Sequence, residues 1–186
     1  MISPDLRGHG KSPGDDLAET LSSLGITSAH MAGCSFGALA AIFLAKRHPE
    51  FVRTLTISGV TPQKPDNWKS MNEEESKFRM NLLNDEETCA YFDSLHGEGW
   101  QRFIHMGQDE KWYPFEEIRS LKSLNVPILF MVGEALKHEG KGVTVYKEQS
   151  ESIHAAVLPF ASHLVHTEQP DLYNKTLDVF LENRES

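Results

Sequence analysis

Ala29-His30-Met31-Ala32-Gly33-Cys34-Ser35-Phe36-Gly37-Ala38-Leu39-Ala40-Ala41-Ile42-Phe43-Leu44-Ala45-Lys46-Arg47 is the stretch on which the fold turns. Its first part, through Cys34, is short and largely apolar, whereas the run from Phe36 is rich in strong helix formers. The stretch reads as strand, sharp turn, helix. At the junction, Gly33-Cys34-Ser35-Phe36-Gly37 fits the pattern G-x-S-x-G. A serine on a strained strand-to-helix turn needs tiny neighbours two residues away on either side. A chance match somewhere in a chain of this length has a probability of about 5% at average glycine and serine usage, so the position of the match matters more than the match. Against the functional reading of Ser35 as a nucleophile stands the plainer one of a structural Gly-Ser turn.

Outward from this stretch the pattern repeats. Upstream, Asp15 or Asp16 is placed to cap a short helix through Leu17, Leu21 and Leu24, closed by Gly25. Downstream, Arg53–Ser58 and Pro127–Val132 are β-branched or apolar runs, each followed by a glycine, as expected of buried strands. A last strand is expected over Ala155–Phe160. It precedes a helix that starts near Pro170 and puts Leu172, Leu177, Phe180 and Leu181 on roughly one side. Strands alternating with helices imply a parallel α/β sheet.

Between two of these strands the character changes. Pro62 and Pro65 open a charge-dense region that holds all three tryptophans, Trp68, Trp100 and Trp112, along with Phe78, Met80, Leu83, Tyr91, Phe92 and Phe103. It is too long for a plain connection. The expectation is a single domain over 1–186 with a small helical cap inserted at 62–125, whose aromatics either line an apolar pocket or pack the cap's own core.

Bulk composition narrows the function. The 186 residues, 39% hydrophobic, suffice to bury one domain's core. A formal net charge of -9 repels phosphate backbones and anionic bilayers, which argues against nucleic-acid and membrane partners. The run Glu73-Glu74-Glu75 reads as a solvated face rather than as an interaction site. Cys34 and Cys89 match no zinc or redox spacing and make no disulfide framework, so a reducing cytoplasm is the expected setting. There is no apolar run of the ~18 residues a membrane span needs, and the N-terminus carries neither a basic stretch nor an apolar signal core.

A serine hydroxyl is nearly inert until a base takes its proton. Of nine histidines, His163 in Pro159-Phe160-Ala161-Ser162-His163 follows the last strand, at the carboxyl edge where open parallel sheets bind ligands. The plainer reading is a surface-loop histidine. His166, three residues on, would make a metal pair with it, but no third ligand is evident.

At this point the chain resembles the α/β-hydrolase superfamily over nearly its whole length. Asp5-Leu6-Arg7-Gly8-His9-Gly10-Lys11-Ser12 is similar to the turn after that family's fourth strand, and Gly33–Gly37 to the nucleophile elbow after the fifth. Pro127–Glu134 resembles the seventh strand leading to the acid loop. Ala161-Ser162-His163-Leu164-Val165-His166-Thr167-Glu168-Gln169-Pro170 resembles the histidine loop and the start of the closing helix. The resemblance implies a mostly parallel α/β-hydrolase sheet flanked by helices, with Ser35 attacking an acyl carbon and His163 shuttling the proton. It raises His163 above His166, and it makes the amide of Phe36 one oxyanion donor. It implies a small ester, thioester or related acyl substrate and neither cofactor nor metal. Serine at the elbow argues against the aspartate-dependent dehalogenase and epoxide-hydrolase branches, while carbon–carbon bond hydrolysis and peptidase activity stay open.

Two departures from the family pattern stand out. The aspartate usually found three residues after the glycine ending the seventh strand is replaced by Leu136, which cannot orient an imidazolium. Glu134 and Glu139 are the nearby substitutes, with Glu139 slightly favoured on reach. Met1 also falls inside what would be the fourth strand, so the family's first three strands and the loop supplying the other oxyanion donor are not seen. A fragment or start-site error, a strand supplied by a partner chain, as in a homodimer, or a sheet closed up differently would each account for this. The competing function is accordingly a non-catalytic scaffold that binds a ligand or partner.

Overall fold

The computed structural model describes residues 17–97 and 99–185. The would-be fourth strand at Met1, the stretch Asp5–Ser12 and the capping aspartates Asp15 and Asp16 lie outside them. Four strands, β1 (Ala29–Cys34), β2 (Val52–Ser58), β3 (Ile128–Gly133) and β4 (Ile153–Leu158), form one sheet in the order β1-β2-β3-β4, and every pairing is parallel. The expected parallel α/β sheet flanked by helices is what the chain forms.

The helix α2 (Phe36–Arg47) leaves directly from β1 and returns over β1 and β2. It buries Ala38, Leu39, Ala41, Ile42, Leu44 and Ala45, and its alanines let its axis lie close to the sheet. Among the described residues β1 pairs on one side only, and its side chains alternate between half-buried and exposed from Ala29 to Ala32. Central strand β3 is buried throughout. Its two faces serve two layers because successive side chains point opposite ways. Phe130 meets the ring of Tyr146 edge-on at 5.1 Å from α7 (Lys137–Lys147). Leu129 and Met131 pack on the other face with Leu158, Val165 and Phe180, the last from the closing helix Pro170–Glu185.

The last strand begins and ends earlier than the sequence reading placed it. Ile153 is drawn in by its partner Ile128 in the sheet register, whereas Pro159 has no N–H for a ladder and Phe160 turns to a φ of 56°. Leu172, expected on the buried side of the closing helix, is 42% exposed, because the apolar stripe that meets the sheet runs through Tyr173, Leu177, Phe180 and Leu181 instead. The short helix α1 (Leu17–Ser23) closes as expected at Gly25. Gly25 N–H donates to Ser22 O and Ile26 N–H to Leu21 O, satisfying two terminal carbonyls.

The chain falls into two compact units. One contains Lys64–Pro114 with the described residues up to Thr20, and the other contains Leu21–Gln63 and the chain from Phe115 onward. The first unit holds α3 (Trp68–Leu82), α4 (Glu86–His96) and α5 (Gln101–Met106). Its tryptophans build its own interior. Trp68 and Trp100 are buried, and the three indoles donate to Glu110 O, Asp93 Oδ1 and the buried Asn72 Oδ1 respectively for Trp68, Trp100 and Trp112. The segment after Pro114, α6 (Phe115–Ile118) with Leu121 and Leu124, belongs with the sheet. There Tyr146 Oη donates to Ile118 O, and Lys46 donates to the carbonyls of Glu117 and Ser120. Among the described residues no helix is long and apolar enough to cross a membrane.

Candidate active site

Strand β1 delivers Ser35 to the carboxyl edge of the sheet with φ 56° and ψ −121°, a conformation a non-glycine residue adopts only when its surroundings force it. Two anchors hold it there. Ser35 N–H donates to Ser58 O at 2.9 Å, tying the turn to the end of β2, and Ser35 O accepts from Ala38 and Leu39 as the first carbonyl of α2. Crowding explains Gly33, where a Cβ would be driven into the carbonyl of Gly37 and to 2.7 Å from Ala38 N. Gly37 differs from the sequence reading: among the described residues nothing lies within 4 Å of where its Cβ would be. The turn is tight on one side only.

His163 stands in the loop that leaves β4. That loop crosses the end of β3 so closely that a Cβ on Gly133 would strike the carbonyls of Ala161 and Ser162. The His163 ring reaches the end of β2, beside the elbow: a single point, the Cβ position of Gly59, lies 2.9 Å from His163 Cε1 and 3.0 Å from Ser35 N. On its other side, His163 Nδ1 is 2.7 Å from Glu139 Oε1. The Glu139 side chain is 2% exposed against 41% for the imidazole. An ionised carboxylate only accepts, so this contact keeps a proton on Nδ1 and the neutral ring's lone pair on Nε2.

Glu139 reaches His163 because of where α7 begins. Leu136 occupies the N-cap position and Glu139 the third residue of the helix, three along and so on the same face. Its side chain leans back toward the helix N-terminus, the direction every helical Cα–Cβ bond takes. A carboxylate thus meets the imidazole from one helical turn beyond the position Leu136 fills. Glu134 is used elsewhere: its Oε1 accepts from Phe160 N–H at 2.9 Å, holding the left-handed residue at the start of the histidine loop.

Glu168 was not singled out in the sequence as a functional residue, yet it braces the loop at His163. Its two oxygens accept from Ser162 N–H at 2.8 Å and Leu164 N–H at 2.9 Å, the amides on either side of His163. The signal was available as a glutamate closing a short helix, Val165–Glu168, and able to reach back to its N-cap residue Leu164. The His166 ring meets Tyr173 edge-on, with ring centroids 6.0 Å apart.

Behind the elbow, Cys34 Sγ donates to His163 O at 3.7 Å. Burial pushes the Cys34 thiol pKa up, the neighbouring Ser58 hydroxyl pulls it the other way, and the Glu139 charge adds to the rise. Burial likewise pushes up the Tyr173 phenol, with a further rise from Cys34. Ser58 Oγ and Glu139 Oε2 are buried without a full hydrogen bond among the described residues. Phe36 opens α2 directly after Ser35.

Comparison with known proteins bears on the fold and the family. Carboxylesterase YbfK of Bacillus subtilis (strain 168) is 27% identical, the match covering 89% of this chain and 61% of that protein. The chain therefore spans about three fifths of the length of this curated relative. In three dimensions the chain resembles NosK from Streptomyces actuosus with a TM-score of 0.81 at 21% identity, covering 98% of this chain and 85% of that one. It resembles the crystal structure of carboxylesterase CesB (YbfK) from Bacillus subtilis with a TM-score of 0.58 at 22% identity, covering 89% and 64%. Likeness at such identities speaks for the fold alone. Residues 1–99, more than half of the chain and including the elbow, match the family model described as alpha/beta hydrolase fold. With the strand, elbow and helix order and the parallel sheet both in place, the chain belongs to the α/β-hydrolase superfamily.

Proposed function

We propose that this chain carries the catalytic centre of a serine hydrolase acting on small carboxylic esters or related acyl compounds. Ser35 is the nucleophile, His163 the general base and acid, and Glu139 the residue that orients the imidazole. The observation that carries this reading is the 2.7 Å contact between His163 Nδ1 and the buried Glu139, with the same ring packed beside the Ser35 turn. In the first half-reaction Ser35 Oγ bonds to the acyl carbon while His163 Nε2 takes its proton. His163 then gives that proton to the departing alkoxide, leaving an acyl-serine. A water attacks in the second half through the same exchange, releasing the acid and restoring Ser35. The Phe36 amide, aimed by α2, is one donor to the oxyanion. The name of the curated relative supports an ester as the substrate class.

The test is labelling of the purified chain by a fluorophosphonate probe, with circular dichroism to verify folding. Labelling is expected for the wild-type chain and is expected to vanish in Ser35→Ala and His163→Ala. A folded chain that takes up no probe would reject the catalytic reading in favour of a scaffold that binds a ligand or partner.

A further inference from the structure

We infer that Gly59 and Cys34 are positioning residues that together set the gap between the nucleophile turn and its base. This inference rests on the reading of Ser35 and His163 given above, and it goes beyond the triad.

Three parts of the site converge on one backbone position. Gly59 follows β2 with a φ of +65°, and a Cβ there would lie 2.9 Å from His163 Cε1, 3.0 Å from Ser35 N and 3.2 Å from Cys34 Sγ. The bare Cα of Gly59 is the spacer between elbow and imidazole. The residue before it, Ser58, holds the elbow by accepting from Ser35 N–H, so spacer and anchor are consecutive residues of one strand end. Any side chain at 59 must displace the imidazole, the nucleophile's amide or the thiol. The amide is fixed by its bond to Ser58, so the ring on its loop is the part that gives.

Cys34 supplies the tension opposite this wedge. Its thiol donates to the backbone carbonyl of His163 at 3.7 Å, linking the residue before the nucleophile directly to the residue that carries the base. Glu139 fixes the ring's rotation through Nδ1, whereas Cys34 and Gly59 fix how far the ring stands from Ser35. Burial raises the thiol's pKa, which keeps it protonated and able to donate at neutral pH.

The experiment compares Gly59→Ala, Cys34→Ala and Cys34→Ser with a strain control, Gly25→Ala. Gly25 has a nearly identical φ of +69° but, among the described residues, nothing within 4 Å of its Cβ position, so it reproduces the backbone penalty without the contact. The readouts are the fluorophosphonate labelling rate and the kcat and KM for p-nitrophenyl acetate. Gly59→Ala is expected to lower labelling and kcat by about tenfold to a hundredfold with KM changed less than threefold, as misplacement of reacting groups by a fraction of an ångström does. Gly25→Ala is expected to stay within twofold of wild type. Cys34→Ala is expected to lose severalfold in kcat, and Cys34→Ser, which keeps a donor, to recover most of it. Should Gly59→Ala not fold, the cysteine pair decides the matter. The inference is overturned if folded Gly59→Ala labels no more slowly than Gly25→Ala, or if Cys34→Ala and Cys34→Ser both match the wild type. Absence of labelling in the wild type would instead remove the catalytic reading on which it rests.

Discussion

Two glutamates five residues apart stand near the end of β3, and their positions divide the work between them. Glu139 meets the His163 imidazole, and Glu134 meets a backbone amide at the start of the same loop. Exchanging each for its amide separates these tasks. On the proposed mechanism, Glu139→Gln removes the charge that stabilises the imidazolium and is expected to lower turnover by about two to four orders of magnitude, as loss of the acid does in triad enzymes. Glu134→Gln keeps an acceptor for Phe160 and is expected to stay within about tenfold of wild type, both being read from initial rates on a small ester. Cys34 offers a pH test. Its folded pKa lies above the ordinary 9.0, so the folded state holds the thiol proton more tightly than the unfolded state. The stabilisation this brings is complete below the unfolded pKa and is lost as pH rises through the folded one. Alkylation of Cys34 by iodoacetamide, followed by mass spectrometry, is therefore expected to reach half its limiting rate above pH 9 in the folded chain and at a lower pH in urea.

The loop between β4 and the closing helix is the element that carries His163. It has little regular structure, and what holds it are Glu134 on Phe160, Gln169 Nε2 on Phe160 O at 3.3 Å, and Glu168 on the amides flanking His163. Glu168→Ala removes two acceptors at once, and a loss of about 1 kcal/mol is expected, the usual consequence of a lost helix cap. Because the freed amides bracket His163, probe labelling is expected to fall more than this small destabilisation explains. Thermal melting and labelling measured on one preparation separate the two effects. The loop was only partly legible in the sequence. Proline at 159 and His163 beyond it marked the strand end and a candidate base, but the end of β4 at Leu158 depends on the left-handed turn of Phe160. That turn is maintained by a carboxylate 26 residues away, which no local window contains.

Across the whole chain, each of the two compact units has buried polar contacts whose loss is open to measurement. In the Lys64–Pro114 unit, Asn72 is 4% exposed and its carboxamide oxygen accepts from the Trp112 indole. Trp112→Phe keeps most of the apolar bulk and strands that oxygen, so a loss of about 1–3 kcal/mol is expected in urea denaturation. The alternation of apolar runs with helix formers was enough to give the parallel sheet, the start of α2 and the start of the closing helix at Pro170, because periodicity and capping act over a few neighbouring residues. The G-x-S-x-G turn was legible for the same reason: its strain and its crowding at Gly33 arise within five residues. Which carboxylate reaches His163 was only partly legible: reach favoured Glu139 slightly, but Glu134 and Glu139 are both close in sequence to the end of β3. Only the onset of α7 at Lys137 turns one toward the histidine and leaves the other at the sheet edge. The spacing of Ser35 from His163 belongs to the same class, being set at Gly59 by three chain segments that the β1-β2-β3-β4 order brings together. Short-range chemistry selects the elements and the reactive residue types; distances between side chains far apart in the chain exist only once packing has fixed where each element begins and ends.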